Sequence, residues 1–347
     1  MVQAQRRLLH QTGAGDGLEP GRAVAQGHTM AQIVSSSRVA ALLGARLPVL
    51  QAGMGGVAQP ELAAAVCEAG AFGMIGLYRH TRDEIGQLLA QTAALTRARF
   101  GVNLVPFVLD ADALLDRLAY VADRPERPIV TFFGLPDPAV LRALPTGMDY
   151  GVQGGTWDEL DAAFDAGACF GVLQTTEAGG HHLGKITRAQ ALDQAARLGV
   201  DTRMVFLSGG ISNAAELRLV LDAGFSGALC GTVFAATRES AAHDRYKQAI
   251  VAAEPGDTVV TDRFSVGWHT HRHRVIRNAS CGGSLPAGVI GFAHYFGKRY
   301  PILRYSVAVP TAHTEGLIED MALYCGTSCK DTHSIRTVRQ VLADLTA

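Results

Sequence analysis

The densest run of chemistry-bearing residues in this 347-residue chain is Gln174-Thr175-Thr176-Glu177-Ala178-Gly179-Gly180-His181-His182. An apolar stretch ends there and at once presents an amide, a carboxylate, two glycines and two imidazoles. An imidazole on a loop titrates near neutral pH and can take a proton from a weak acid. His181 follows two glycines, so little side-chain bulk hides it, and we read it as a general base. The plainer alternative is a loop histidine that only packs or hydrogen-bonds. His182 reads as solvent-facing or as support behind His181.

Three further clusters share this placement at the end of an apolar run. Ala52-Gly53-Met54-Gly55-Gly56 offers bare backbone against which a flat ligand can lie, or simply a tight turn. Asn103, alone within Gly101-Val102-Asn103-Leu104, must find partners, because burying an amide unpaired costs about 1–3 kcal/mol. A ligand's amide edge or a neighbouring loop would serve. Ser208-Gly209-Gly210-Ile211 and Cys230-Gly231-Thr232 each lead into a helix start, where unpaired N–H groups and the positive dipole end favour a phosphate. Two weaker signals complete the set. His269, His271 and His273 alternate and would share one face of a strand, as polar cap residues or as metal ligands. Asp158, Glu159 and Asp161 read as a solvated helix face.

The elements that position these clusters alternate. Strands are predicted at Val49–Ala52, Gly73–Leu77, Phe100–Val105, Pro128–Phe133, Tyr150–Gln153, Phe170–Gln174, Met204–Leu207 and Gly227–Cys230. Amphipathic helices lie between them, several with proline in the first turn or glycine just past the end, as in 60–70, 157–167 and 213–224. Eight strand–helix units between residues 48 and 240 predict a parallel (β/α)8 TIM barrel, an α/β fold whose chemistry sits at the C-terminal strand ends. There, the loops after strands seven and eight are a common phosphate site. An open doubly wound sheet is the rival; its G-x-G-x-x-G fingerprint is missing after the first strand. Residues 1–29 show no sustained period and read as disordered. With the stretch to residue 37 they form an N-terminal extension, and Met30 is a candidate start of translation. Residues 38–240 form the barrel, and residues 241–347 read as a cap of helices and loops packed on it.

Composition narrows the function classes. Apolar residues make up 48% and charged residues 18%, the balance of a globular chain with a large core. A formal net charge of −1 removes the electrostatic argument for nucleic acid or an anionic membrane as main partner. No apolar run reaches the ~20 residues that span a bilayer, and no secretory h-region follows Arg6 and Arg7. Six cysteines are scattered along the chain, three of them in apolar stretches that read as reduced core thiols of a cytoplasmic protein, and Cys325-x-x-x-Cys329 is a poor zinc spacing, so no metal is expected.

Taken together and in this order, the clusters resemble the nitronate monooxygenases (2-nitropropane dioxygenase-like), a family of FMN-dependent barrels. The resemblance rests on Pro48-Val49-Leu50-Gln51-Ala52-Gly53-Met54-Gly55-Gly56, Glu177-Ala178-Gly179-Gly180-His181, Gly209-Gly210-Ile211, and Gly231-Thr232-Val233-Phe234 with Glu239-Ser240. It implies bound FMN, contacted by Asn103, Gln174, Gly179, Gly180, Gly209, Gly210, Leu229, Cys230, Gly231 and Thr232. It also implies that Ala52, Gly53 and Met54 lie against the isoalloxazine and that His181 is the catalytic base. Tyr324-Cys325-Gly326-Thr327-Ser328 resembles the family's closing loop. Thr175, Val233 and His182 stand where the family commonly has glycine, arginine, and a small or arginine-type residue. The implied reaction oxidises alkyl nitronates or nitroalkanes with O2 to a carbonyl compound and nitrite. The alternative on the same barrel is an NAD(P)H-dependent flavin oxidoreductase of the enoyl-thioester or quinone type. A non-catalytic flavin-binding scaffold would lack the base. A homo-oligomer is compatible with all three.

Overall fold

The computed structural model describes residues 33–268 and 272–347. The expectations for residues 1–29, for Met30 and for His269 and His271 fall outside the described residues.

Eight short parallel strands form the frame: β1 (Val49–Gln51), β2 (Met74–Gly76), β3 (Gly101–Leu104), β4 (Ile129–Phe133), β5 (Tyr150–Gly154), β6 (Phe170–Gln174), β7 (Val205–Ser208) and β8 (Gly227–Cys230). Each overlaps its predicted run. Neighbours in sequence are neighbours in the sheet, and β8 pairs with β1 through Val49↔Ala228 and Leu50↔Leu229. Closure between β1 and β2 is completed by a parallel bridge, Leu50↔Phe72. A fully buried side chain adds to that seam: the Gln51 Oε1 accepts from the Met74 N–H at 3.0 Å, where strands this short run out of ladder bonds.

The turn from helix to strand repeats because the sequence repeats its chemistry. Helices at Pro60–Glu68, Trp157–Asp165 and Ala214–Asp222 each run into a glycine with positive φ: Gly70 (+94°), Gly167 (+98°) and Gly224 (+95°). One residue later an apolar N–H reaches five residues back, Ala71 to Val66, Ala168 to Ala163 and Phe225 to Val220. This is the 6→1 bond of a Schellman turn; it satisfies the last helical carbonyls and aims the chain into the next strand. Glu159, expected on a solvated face, instead caps its own helix by accepting from the Gly155 and Thr156 N–H groups.

Side chains fill the barrel interior: Leu50, Phe72, Met74, Ile129, Phe170, Phe206 and Leu229 cluster with Val39 and Leu43 of the helix Ser37–Leu43. That helix belongs to the same apolar cluster, so the interior is a packed core rather than a pore.

The segment after residue 240 differs from the predicted cap of helices and loops. It holds the helices Asp244–Ala252 and Val338–Thr346, but also β9 (Thr258–Thr261), β10 (His273–Ile276), and the hairpin of β11 (Val289–Tyr295) and β12 (Lys298–Leu303). These strands lack the strand–helix rhythm that made the barrel legible. β10 pairs on one side with β9 and on the other with the two-residue strand Gly180–His181. The eighth barrel helix is only Thr232–Ala235. The last helix compensates: Val338, Val341, Leu342 and Leu345 join the apolar layer of Leu62, Val66, Leu217 and Val220.

Candidate active site

The C-terminal strand ends open into one cavity of about 710 Å³, within the range of cofactor-sized sites. Thirteen of the fourteen residues singled out above line it: Ala52, Gly53, Met54, Asn103, Gly179, Gly180, His181, Gly209, Gly210, Leu229, Cys230, Gly231 and Thr232. Gln174 is the exception. Its Nε2 donates to the His181 carbonyl at 3.0 Å, and its Oε1 accepts from the Leu183 and Gly184 N–H groups at 2.6 and 3.1 Å. The amide therefore pins the histidine loop to the end of β6 and does not face the cavity.

His181 is placed by backbone and by rings. Its register partner is the fully buried His273. Its imidazole stacks on the Trp268 indole, centroids 3.6 Å apart and planes 24° from parallel. Phe133 and Tyr324 stand at 6.3 and 5.2 Å. His182 is a support: its Nε2–H donates to the Ala178 carbonyl at 2.7 Å. Burial pushes its pKa down, outweighing that bond, so it stays neutral and structural. Glu177 also turns away from chemistry, its carboxylate accepting the Arg188 N–H at the start of the helix Arg188–Leu198 at 2.9 and 3.0 Å.

The glycines are where side chains would not fit. A Cβ on Gly179 would lie 2.4 Å from the Gly326 nitrogen and 2.6 Å from the Cys325 carbonyl carbon. A Cβ on Gly209 would lie 2.2 Å from Thr175 Oγ1, so Thr175 fills the space beside a bare backbone. Gly209 and Gly210 have φ of +126° and +72°, a path that L side chains rarely follow. The partial match at Tyr324-Cys325-Gly326-Thr327-Ser328 is a closing loop: the Gly326 N–H donates to Thr232 Oγ1 at 2.9 Å and the Thr327 N–H to the Glu177 carbonyl at 3.0 Å. It ties the loops after β6 and β8 together.

Beneath the Gly209–Gly210 turn lies an ion cluster. Glu216, buried, accepts from the Ser212 N–H at 2.8 Å and from Lys330 Nζ at 2.6 Å, and pairs with Arg188 at 2.9 Å. Arg188 also donates to the Gly210 carbonyl, and Ser212 Oγ donates to Asp331 at 2.6 Å. Arg188 thus sits against the turn proposed for phosphate, and Lys330 shares its carboxylate.

Asn103 donates to Thr131 Oγ1 at 2.9 Å, a neighbouring strand supplying one of the partners its burial requires. Sequence reasoning passed over Gln153, Tyr78, Phe133 and Trp268, which also line the cavity. Gln153 carries the signal that singled out Asn103, an amide at the end of an apolar strand. The aromatic residues carry none, because their convergence depends on pairings far apart in sequence. Among the described residues, no group of three His, Cys, Asp or Glu side chains could hold a metal, and no helix is long and apolar enough to cross a membrane.

Comparison with known proteins follows this geometry. The sequence profile of the nitronate monooxygenase family matches residues 36–131 and 108–347. A nitronate monooxygenase of Paraburkholderia phytofirmans is 28% identical over 271 residues, 65% of this chain and 73% of that protein. Among solved structures, FabK from Thermotoga maritima superposes with a TM-score of 0.71 at 24% identity, covering 89% of this chain and 94% of that one. Nitroalkane oxidase from Streptomyces ansochromogenes superposes with a TM-score of 0.66 at 27% identity, covering 89% and 98%.

Proposed function

The chain belongs to the nitronate monooxygenase family of oxidoreductases, and from that premise we propose that it binds FMN in the barrel mouth and oxidises alkyl nitronates or nitroalkanes with O2. The cavity suits the cofactor on its own terms: glycines at 53, 179, 180, 209, 210 and 231 line it, and a Cβ on Gly180 would meet open space and one on Gly231 only ordinary contacts at 3.7 Å, so bare backbone is open to a flat ligand there. Gly209–Gly210 and Gly231–Thr232 would hold the phosphate, and Ala52, Gly53 and Met54 the ring system, with Asn103 beside it. When bound, the flavin supplies the electron acceptance and the reaction with O2 that no side chain here can perform.

The protein's own part is proton handling and placement. The α-carbon of a nitroalkane is acidic, and His181 is a cavity-lining imidazole that can take its proton. The Trp268 face and the Gln174 bond to the His181 carbonyl fix the ring plane and the loop, so the base is oriented before substrate arrives. A nitronate arrives already deprotonated and needs only orientation. The apolar wall of Phe133, Val105 and Trp268 keeps water away from that step.

The observation that carries this reading is His181 in one cavity with the two late glycine turns. His181→Asn should retain flavin and lose about 10²–10⁴-fold in nitroalkane turnover, the usual contribution of a general base, while nitronate oxidation survives. Unchanged nitroalkane turnover would reject the role. Anaerobic mixing with NADH and NADPH separates the reductase alternative: rapid flavin bleaching by either favours it, and bleaching only by a nitronate favours the oxidase.

A further inference from the structure

The barrel mouth accounts for only the inner part of the cavity. Its outer part is walled by the hairpin β11–β12, whose tip is Phe296-Gly297 with φ of +48° and +72°. Positive φ at both central residues is the type I′ geometry, which suits glycine and strains phenylalanine. The strained residue is nevertheless placed at the rim, its ring edge-on to His80 at 5.8 Å. Arg79, next in sequence to His80 and also lining the cavity, carries another positive φ, +57°. The chain therefore tolerates unfavourable backbone at two points to hold a roof over the strand ends.

The rim includes Arg79 and Glu84, but its exposed side chains on and beside the hairpin are apolar. Val266, Phe296, Tyr300 and Leu303 all line the cavity and are 38, 37, 42 and 42% exposed. Single exposed apolar side chains are ordinary; four gathered around one opening continuous with the site are not. From them the wall runs inward over Ile302 and Val309 to Trp268, the residue stacked on His181. The arm begins beside the proposed base and ends at the surface, the path a chain attached to the reacting carbon would follow.

We infer that this arm holds an extended apolar chain of the substrate, so that the nitronates the protein is built to oxidise are long-chain alkyl nitronates and not the smallest nitroalkanes. This deepens the function proposed above and rests on it.

The test uses the purified holoprotein and saturated alkanoates from acetate to decanoate. Their carboxylate, a planar anion with two oxygens, stands in for the nitronate group, and none of them reacts. Binding is read from flavin absorbance and from tryptophan fluorescence. The dissociation constant should fall about two- to fourfold per added methylene over the middle of the series, the upper figure being full burial of a CH2. Leu303→Asp places a carboxylate in the arm at an exposed position that can be changed without unfolding; it should flatten the series. A series that is flat in the wild type, longer alkanoates excluded, or an unchanged slope in Leu303→Asp would overturn the inference, the first two also being the results expected if a partner protein covers the rim. Failure of the parent reading looks different: alkanoate affinity would still climb with length while nitronate turnover is absent.

Discussion

Replacing Glu216 with glutamine removes the one negative charge that Arg188 and Lys330 share, without changing the shape of the side chain. The carboxylate accepts from Lys330 at 2.6 Å and from the Ser212 N–H at 2.8 Å, and it pairs with Arg188 at 2.9 Å. An amide keeps one acceptor oxygen, so the Ser212 N–H bond can be retained and the loss is mainly electrostatic. Breaking a fully buried pair costs about 3–5 kcal/mol. Here the Lys330 and Arg188 side chains are 37 and 26% exposed. Solvent screens part of that cost, leaving about 2–3 kcal/mol. At about 1.4 °C per kcal/mol for a chain of this size, Tm should drop roughly 3–4 °C. The dependence on pH carries a sign. Burial works to raise the Glu216 pKa, but the Lys330 bond, the Ser212 N–H and the Arg188 charge outweigh it and hold it below the ordinary range. A depressed carboxylate contributes its full stability above the unfolded value of about 4.3 and loses it as pH falls through the folded value. The Tm gap between wild type and Glu216→Gln should therefore hold from neutral pH down to about 4.3 and close below it. Thermal melts across that range decide the matter. A gap near zero at pH 7, or one that widens on acidification, would refute the argument that this carboxylate is held by its cations.

Two further outcomes follow from the same geometry. Gly179→Ala puts a Cβ 2.4 Å from the Gly326 nitrogen, backbone that cannot rotate aside, so the closing loop must separate from the histidine loop. Flavin titration should show affinity reduced by roughly tenfold or more, about 1.4 kcal/mol of lost contact. Burial pushes the Cys67 thiol up to about 11 and the Cys230 thiol to about 12. Since the thiolate is the nucleophile, neither should be alkylated by iodoacetamide at about pH 8 in the folded protein, and both should react on unfolding, as peptide mass mapping would show.

The barrel was legible because its signals are local. A short apolar run, a capped helix and a glycine with positive φ recur within about thirty residues, and all eight strands were found from them. The clusters after those runs were legible for the same reason, since strand ends in a closed barrel must converge. Two kinds of information were out of reach. Gln174 is chemically fit to face a ligand, but its amide is consumed by the His181, Leu183 and Gly184 backbone. Nothing in the order of residues says which way a side chain turns. The β10 pairing that brings His273 to His181 and the stacking of Trp268 on that ring join segments roughly ninety residues apart. The hairpin β11–β12 was missed because its turn is Phe-Gly rather than the Asn-Gly or Asp-Gly that marks a type I′ turn most strongly.

The central claim is that the glycine turns and His181 surround one flavin. It is tested most directly by denaturing the purified protein and identifying what is released. The account predicts a yellow protein that yields FMN in close to equal amount with the chain. A colourless protein that takes up no FMN even when it is supplied in excess would contradict it.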